Sequence, residues 1–351
     1  VARASPLARI LFLVYVLLVV YASLYPFEGW RAVGLSPLAY LDAPWPRYVT
    51  VFDIVVNVAG YVPFGMLAIA ALRPGVLGVR AFLLAVAGAA LLSFLLEAAQ
   101  TYLPARFASN LDLISNLVGA ALGAAFGLAL APVLAEGPLQ RRRAQAFLHG
   151  ADIDFGLVLL GLWLFIQLNP APLLFGAGEL RDYLAPLEGK ARRPEFFVAI
   201  EAFTTAANLV AVGLLLSLLV MPGWPVRKIF GWLVLGALAV KTAAFAIVMR
   251  AENVAAFLTY GAQIGLVLGS AGALAAVGLP RTARLALAAV LLMAGTVLVN
   301  LTPPNPYLAD SFKVWQHGHF LNFNGLTRLV SALWPFAVLG YLMFLATRRL
   351  K

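Results

Sequence analysis

The sequence predicts an all-α membrane protein, a polytopic transmembrane helical bundle of about ten spans. Three observations predict it. Hydrophobic residues make up 63% of the chain and charged residues 11%, with a mean hydropathy of +0.92. A soluble globular domain is about half apolar and about a quarter charged. The apolar residues gather into runs near the length that a bilayer requires, about 20 residues. No run alternates apolar and polar residues as a barrel strand would, so helices are the spanning form.

The spans fall near 7–25, 53–72, 79–103, 111–134, 153–170, 197–221, 228–249, 254–278, 283–301 and 326–346. The first follows Arg3 and Arg9 as a signal peptide would. It lacks a clear small-x-small cleavage site and further spans follow at once, so it reads as a retained helix. Pro63 interrupts the second span, where it removes a backbone donor and can kink the helix. The third and fourth are joined by a short polar elbow containing Pro104 and Arg106.

Charge sets the expected orientation. With the N-terminus inside, the inner loops and ends hold Arg3, Arg9, Arg73, Arg80, Arg141, Arg142, Arg143, Arg227, Lys228, Arg281, Arg284, Arg348, Arg349 and Lys351. Every inner loop carries at least two basic residues. Positive-inside reasoning then puts both termini in the cytoplasm. The elbow and the loops 26–52, 170–196 and 302–325 face outward. Trp and Tyr in these loops read most simply as interfacial anchors. The net charge of +10 is explained by topology, and no nucleic-acid partner is expected.

The chain repeats itself. Gly119, Gly123 and Gly127 recur as Gly261, Gly265 and Gly269, and Asn57 in VVNVAG resembles Asn208 in AANLVA. The segments SLYPF, QLNPA and NLTPP resemble one another, and WPFAVLGYLMF resembles VPFGMLAIAAL. Fixed-period similarity of this kind marks repeats. The expected division is a four-helix unit over 1–140, a second over 141–280 and a two-helix partial repeat over 281–351. An even number of helices per unit gives a parallel repeat about an axis near the membrane normal.

Polar groups inside the spans are the functional candidates, because such placement is costly. Ser93, Glu97 and Gln100 lie at i, i+4 and i+7, on one helix face. They form either a polar site or a structural clasp between helices. Asp53 and Asn57 share a face one turn apart, with Asp53 either an N-terminal helix residue that favours the dipole or part of the site. Asp112, Asn116, Gly119 and Gly123 share another face, polar at its outer end and smooth deeper down. Its glycines read as a packing surface. Arg106 can clamp a phosphate or carboxylate through its planar fork, or balance Glu97 or Asp112. His317 and His319 form an H-x-H pair with no third ligand nearby. The chain has no cysteine. No metal and no cofactor are expected, and the common hydrolase, NTPase and zincin motifs are absent.

Residues 7–134 resemble the VanZ-like family of bacterial membrane proteins. The resemblance rests on Asp53, Asn57, Pro63, Phe64 and Gly65 in FDIVVNVAGYVPFGML, on Ser93, Glu97 and Gln100, and on Pro104 and Arg106. It continues through the N-x-D-x-x-x-N-x-x-G run from Asn110 to Gly119. The family's association with low-level glycopeptide resistance, to teicoplanin in particular, implies a cell-envelope role without a defined reaction. In the second unit Lys241 stands in place of Glu97, while Val254 and Leu258 replace Asp112 and Asn116. The resemblance therefore places any activity in the first unit, with the second a degenerate scaffold.

Three functions follow as expectations. The first is a non-enzymatic envelope protein that binds or shields an anionic lipid-linked precursor. Arg106 would contact the anion, Asp53, Asn57, Gln100, Asn110 and Asn116 would line the site, and Glu97 and Asp112 would orient Arg106. The second is an intramembrane enzyme on a lipid-linked substrate, with Glu97 or Asp112 as general base. The third is a lipid or small-solute transporter, favoured by the parallel repeat.

Overall fold

The computed structural model describes residues 6–32, 34, 36–45, 50–170, 173–181, 193–248, 254–302 and 321–348. Among the described residues the chain forms eleven helices. They are α1 (Pro6–Leu24), α2 (Val51–Leu72), α3 (Gly78–Gln100), α4 (Asn110–Glu136), α5 (Pro138–Ala146) and α6 (Ala151–Ile166). They continue with α7 (Pro194–Leu219), α8 (Val226–Val248), α9 (Tyr260–Ala276), α10 (Arg281–Leu301) and α11 (Leu321–Thr347). Eight are long and apolar enough to cross a membrane. The other two expected spans, 153–170 and 254–278, form the shorter helices α6 and α9, of 16 and 17 residues. The fold is a polytopic helical bundle, and the protein is a multi-pass membrane protein. Side chains such as Leu13, Leu17, Leu83, Leu91, Leu122 and Phe126 are exposed, as lipid-facing positions are.

Contacts divide the chain into two compact units. One contains residues 1–145 and 149–154, the other 146–148 and 155–351.

In the first unit α2 and α4 are locked together. Gly65 of α2 lies against Ala120 O, Ala124 N and Gly123 of α4. From the other side Gly119 meets Val58 O, Gly123 meets Val62 O, and Gly127 meets Met66 and Ile69. A Cβ at any of the first three would collide with backbone, so these glycines let the two helices approach at main-chain distance. Tyr61, Phe64, Ala68, Ile69, Ala81, Ala85, Ala89, Ala120 and Ala124 form the buried cluster around that contact. Helix α1 has no buried residue and is tied on at its edge, where the Tyr15 hydroxyl donates to Gly60 O at 2.5 Å.

Sequence signals set the helix starts. Thr50 and Asp53 close a reciprocal capping box on α2, with Thr50 N donating to Asp53 Oδ2 at 3.0 Å and Asp53 N to Thr50 Oγ1 at 3.2 Å. Such a box satisfies two orphan donors at once. Ser109 caps α4 and Thr259 caps α9. Pro194 opens α7, where its missing N–H is harmless.

In the second unit α7 is the central helix. An unbroken run from Ala207 to Leu219 is buried, and α9 and α10 both pack against it. Gly261, Gly265 and Gly269 of α9 face Val198 O, Ala202 O and Ala206 Cα of α7 at 2.7, 2.6 and 2.8 Å from an added Cβ. The segment after α6 departs from the expected outward loop. Leu174, Phe175 and Ala177 are at most 2% exposed, so non-helical chain lies within this unit.

Candidate functional site

The polar groups of the first unit collect where α3 ends and α4 begins. Glu97 sits in the last turn of α3, 4% exposed. Its Oε2 accepts the backbone N–H of Ser109 at 2.8 Å. Ser109 is the N-cap of α4, and its own hydroxyl accepts from Leu111 N and Asp112 N at 3.2 and 3.4 Å. Carboxylate and cap together satisfy the first free donors of α4, groups that no helical carbonyl reaches. The elbow 101–109 is therefore fixed by Glu97 from one side and by Ser109 from the other.

Arg106 lies in that elbow, half-buried. Its Nε donates to Tyr25 O at 2.8 Å and its Nη2 to Ala22 O at 2.8 Å. These carbonyls belong to the end of α1, where the last C=O groups lack intrahelical partners and a cation is favoured. Gln100 Nε2 adds a third bond, to Ser23 O at 3.0 Å. Burial pulls the Arg106 guanidinium below its usual pKa, and the Glu97 carboxylate opposes that shift. Neither Glu97 nor Asp112 forms an ion pair with Arg106 within 4.0 Å among the described residues. The two acids were expected to orient the guanidinium, but the α1 carbonyls hold it. No described residue bonds to its Nη1.

A second group lies deeper. Asn116 Nδ2 donates to Ser93 Oγ at 2.9 Å, joining α4 to α3. The Tyr61 hydroxyl lies near Ser93 but, like Asn116 Oδ1, is buried without a hydrogen-bond partner among the described residues. Nearer the α2 start, the Asp112 carboxyl lies against Asn57 and close to Asp53. Asp53 itself closes the capping box with Thr50, whose hydroxyl donates to Asp53 Oδ2 at 2.6 Å.

The loop after α1 roofs this end. Asn110 Nδ2 donates to Ala43 O at 2.7 Å, Arg31 N to Tyr102 O at 3.0 Å, and the Tyr40 hydroxyl to Phe94 O at 3.3 Å. Tyr40 is 4% exposed. Burial and then the Glu97 carboxylate raise its pKa above the usual value.

The structure thus brings Glu97, Gln100, Arg106, Asn110, Asp112, Asn116, Asn57 and Asp53 to one end of the first unit. Most of their polar atoms brace the fold as they do so. Ser109, Tyr40 and Tyr61 were missed. Ser109 carried a signal, being a Ser three residues before the acid of the next helix, Asp112. Tyr40 lay among many loop aromatics with nothing local to single it out. Outside this unit, sequence reasoning also passed over Glu201, which is 7% exposed within α7. His317 and His319 lie outside the described residues.

Among the described residues no group of three or more His, Asp or Glu is placed to hold a metal ion. Chemically, the site offers one guanidinium with a free edge, two carboxylates close by and several amide and hydroxyl groups under a loop.

Comparison with known proteins agrees with the N-terminal resemblance. Residues 11–131 match the family described as VanZ/LLP1. No curated protein and no solved structure matches the chain. The N-terminal third is therefore VanZ-like.

Proposed function

We propose that this VanZ-like unit holds the anionic head group of a lipid-linked envelope precursor, without changing it, where α3 hands over to α4. The observation that carries the reading is the state of Arg106. Two of its nitrogens are fixed on α1 carbonyls at 2.8 Å, so the fork is pre-oriented while Nη1 keeps its donors. A planar guanidinium held this way suits a phosphate or carboxylate. Asn57, Gln100, Asn110 and Asn116 contribute by shaping the surrounding end of the bundle, and Asp53 by starting α2. On this reading the site faces outward from a bacterial cytoplasmic membrane, and both termini are cytoplasmic. A link to glycopeptide (teicoplanin) resistance belongs to the same proposal, since shielding such a precursor would keep the antibiotic from it.

The test is native mass spectrometry of protein extracted gently from its own membrane. Wild type is compared with Arg106→Ala and with Gln100→Ala. Gln100→Ala also releases α1, through Ser23 O, but keeps the guanidinium. Retention of an anionic lipid in wild type and Gln100→Ala, with loss in Arg106→Ala, supports the site. Equal loss in both variants means that α1 docking alone matters, and the anion site is wrong. Turnover of the retained lipid into a new species would favour the alternative of an intramembrane enzyme with Glu97 or Asp112 as base.

A further inference from the structure

The end of the first unit where α3 hands over to α4 is built from two non-helical stretches, the loop after α1 and the elbow 101–109. Both were expected to face outward from the membrane. Their exposed side chains do not suit water. Phe107 in the elbow is 88% exposed and Trp45 in the loop 64%. Trp30, Leu38 and Leu41 of the loop are exposed as well, and so is Val51, the first residue of α2.

These positions are held in place. Arg31 N donates to Tyr102 O at 3.0 Å, and a Cβ added to Gly29 would stand 3.8 Å from Pro104 Cδ. Trp30, between them in sequence, therefore sits beside the first half of the elbow. Asn110 Nδ2 donates to Ala43 O at 2.7 Å, which brings Trp45 close to the start of α4. Tyr40 is buried and bonded to Phe94 O, with Leu38 and Leu41 exposed to either side of it along the chain. Apolar side chains thus stand at both ends of the elbow, and Phe107 lies within it. The backbone beneath them is largely satisfied by the protein. Tyr102 N, Leu103 N and Arg106 N donate to Ala99 O, Gln100 O and Leu103 O, and Ala39 N and Leu41 N to Ser36 O and Leu38 O. Chain bonded in this way can leave bulk water without orphaning those groups.

A contiguous exposed apolar rim marks a surface that something apolar covers, and the adjoining surface identifies the cover. Phe52 and Val55 in the first turns of α2, and Leu91 and Leu95 in the last turns of α3, are exposed. They belong to the lipid-facing sides of membrane-spanning helices that run to this same end, so the rim continues an established lipid contact. We infer that the loop after α1 and the elbow lie in the head-group layer of the leaflet at this end, with Trp30, Leu38, Trp45 and Phe107 reaching the acyl boundary. That layer is about 5–7 Å thick on each side of the hydrocarbon core, and apolar faces lying in it bury about 5–10 Å deep. Glu28, Arg31 and Asp42, exposed on the same loop, supply charges that head groups and their water accept. This end of the unit is then reached from the leaflet and not from bulk water. The covering does not depend on whether Arg106 holds an anion.

The chain has no cysteine, so single cysteines can be spin-labelled in the full protein. Leu38→Cys, Trp45→Cys and Phe107→Cys are each labelled and reconstituted in vesicles of phosphatidylethanolamine and phosphatidylglycerol. Collision of the label with oxygen, which concentrates in lipid, is compared with collision with a water-soluble nickel chelate. Leu122→Cys on the lipid-facing side of α4 is the lipid reference, and Arg142→Cys on the polar helix α5 is the water reference. All three rim positions are exposed, so the substitutions remove little packing, and any two carry the test if the third does not fold. The expected result is nickel accessibility several-fold below that at 142, with oxygen accessibility above it, at all three positions. Labels at 38 and 45 that match the one at 142 would place the loop in water, with its apolar side chains free for a protein partner, and overturn the inference.

Discussion

The α2–α4 and α7–α9 pairs are built on the same three-glycine spacing, yet they close to different degrees. In the first pair, glycines from both helices interlock, and Gly65, Gly119 and Gly123 press directly on backbone of the opposite helix. In the second pair, the one α7 glycine in the contact, Gly213, meets the Ala273 side chain rather than backbone of α9, and Thr205 and Leu209 side chains share the seam. The tighter pair belongs to the unit with the VanZ-like polar end. The looser pair lies beside a buried helix that carries Glu201, Thr204, Thr205 and Asn208. Small residues fix how closely two helices approach, and the residue types around them decide what else fits in the seam.

A second likeness joins the two units. The carbonyl of the residue before a proline is held by a basic side chain in each of three similar segments. Tyr25 O accepts from Arg106 at 2.8 Å, Asn169 O from Lys241 at 2.6 Å, and Thr302 O from Arg181 at 3.2 Å. All three lie just beyond the ends of apolar helices, where unsatisfied carbonyls favour a cation. This common clasp supports the proposal that the chain arose from repeats divided near residues 140 and 280. It also gives Lys241 a role that its replacement of Glu97 did not reveal. The second unit is also polar inside, with Glu201, Thr204, Thr205, Asn208 and Lys241 buried.

The glycine comparison makes the largest prediction. Gly123→Ala puts a methyl group onto Val62 O and should destabilise the first unit by about 3 kcal/mol or more, the upper range for overpacking. Gly269→Ala, against Ala206 Cα at 2.8 Å, should cost less. Melting of the two purified variants checks this, and a reversed order breaks the comparison. Next, Arg106→Ala removes two bonds to α1 and should cost about 3 kcal/mol, from about 1.5 kcal/mol or more for each charged hydrogen bond. Arg106→Lys should restore only part, because a single ammonium cannot reproduce the fork. Limited proteolysis of the loop after α1 should show it released in Arg106→Ala first.

Smaller effects sharpen the contrast between the seams. The Asn116–Ser93 bond should couple α3 and α4 by about 0.6–1.7 kcal/mol in a double-mutant cycle, the range for hydrogen bonds between membrane helices. Zero coupling would leave the deep polar pair without a clasp role. Thr50→Ala should cost about 1 kcal/mol through loss of the α2 capping box. Thr259→Ala should cost slightly more, because Thr259 caps α9 and also lies in hydrogen-bonding contact with Glu201. Equal losses in thermal unfolding would show that the Glu201 contact adds nothing to the cap.

Much of the site could be read from the chain because its rules are local. A Thr three residues before Asp53 announces a capping box, and carboxylates inside an apolar run announce themselves. What the side chains bind was not local. Arg106 had two readings from sequence, an anion clamp or a partner for Glu97 or Asp112. Its actual partners, Ala22 O and Tyr25 O, are far away along the chain and chemically silent in a sequence, since every residue has a carbonyl. Asp53 was evenly open between cap and site, and the geometry of Thr50 makes it a cap whatever else it touches.

By itself the sequence determined the solvent of this protein, its helical class, the approximate spans and the glycine faces. Hydropathy, helix period and span length act within about 20 residues and need no partner to be named. Only the tertiary structure decided which helix each glycine face would meet, and that Arg106 would brace α1. It also decided that the chain after α6 would turn inward. Those outcomes depend on pairing groups distant in sequence, where many partners are chemically equivalent and packing alone selects one.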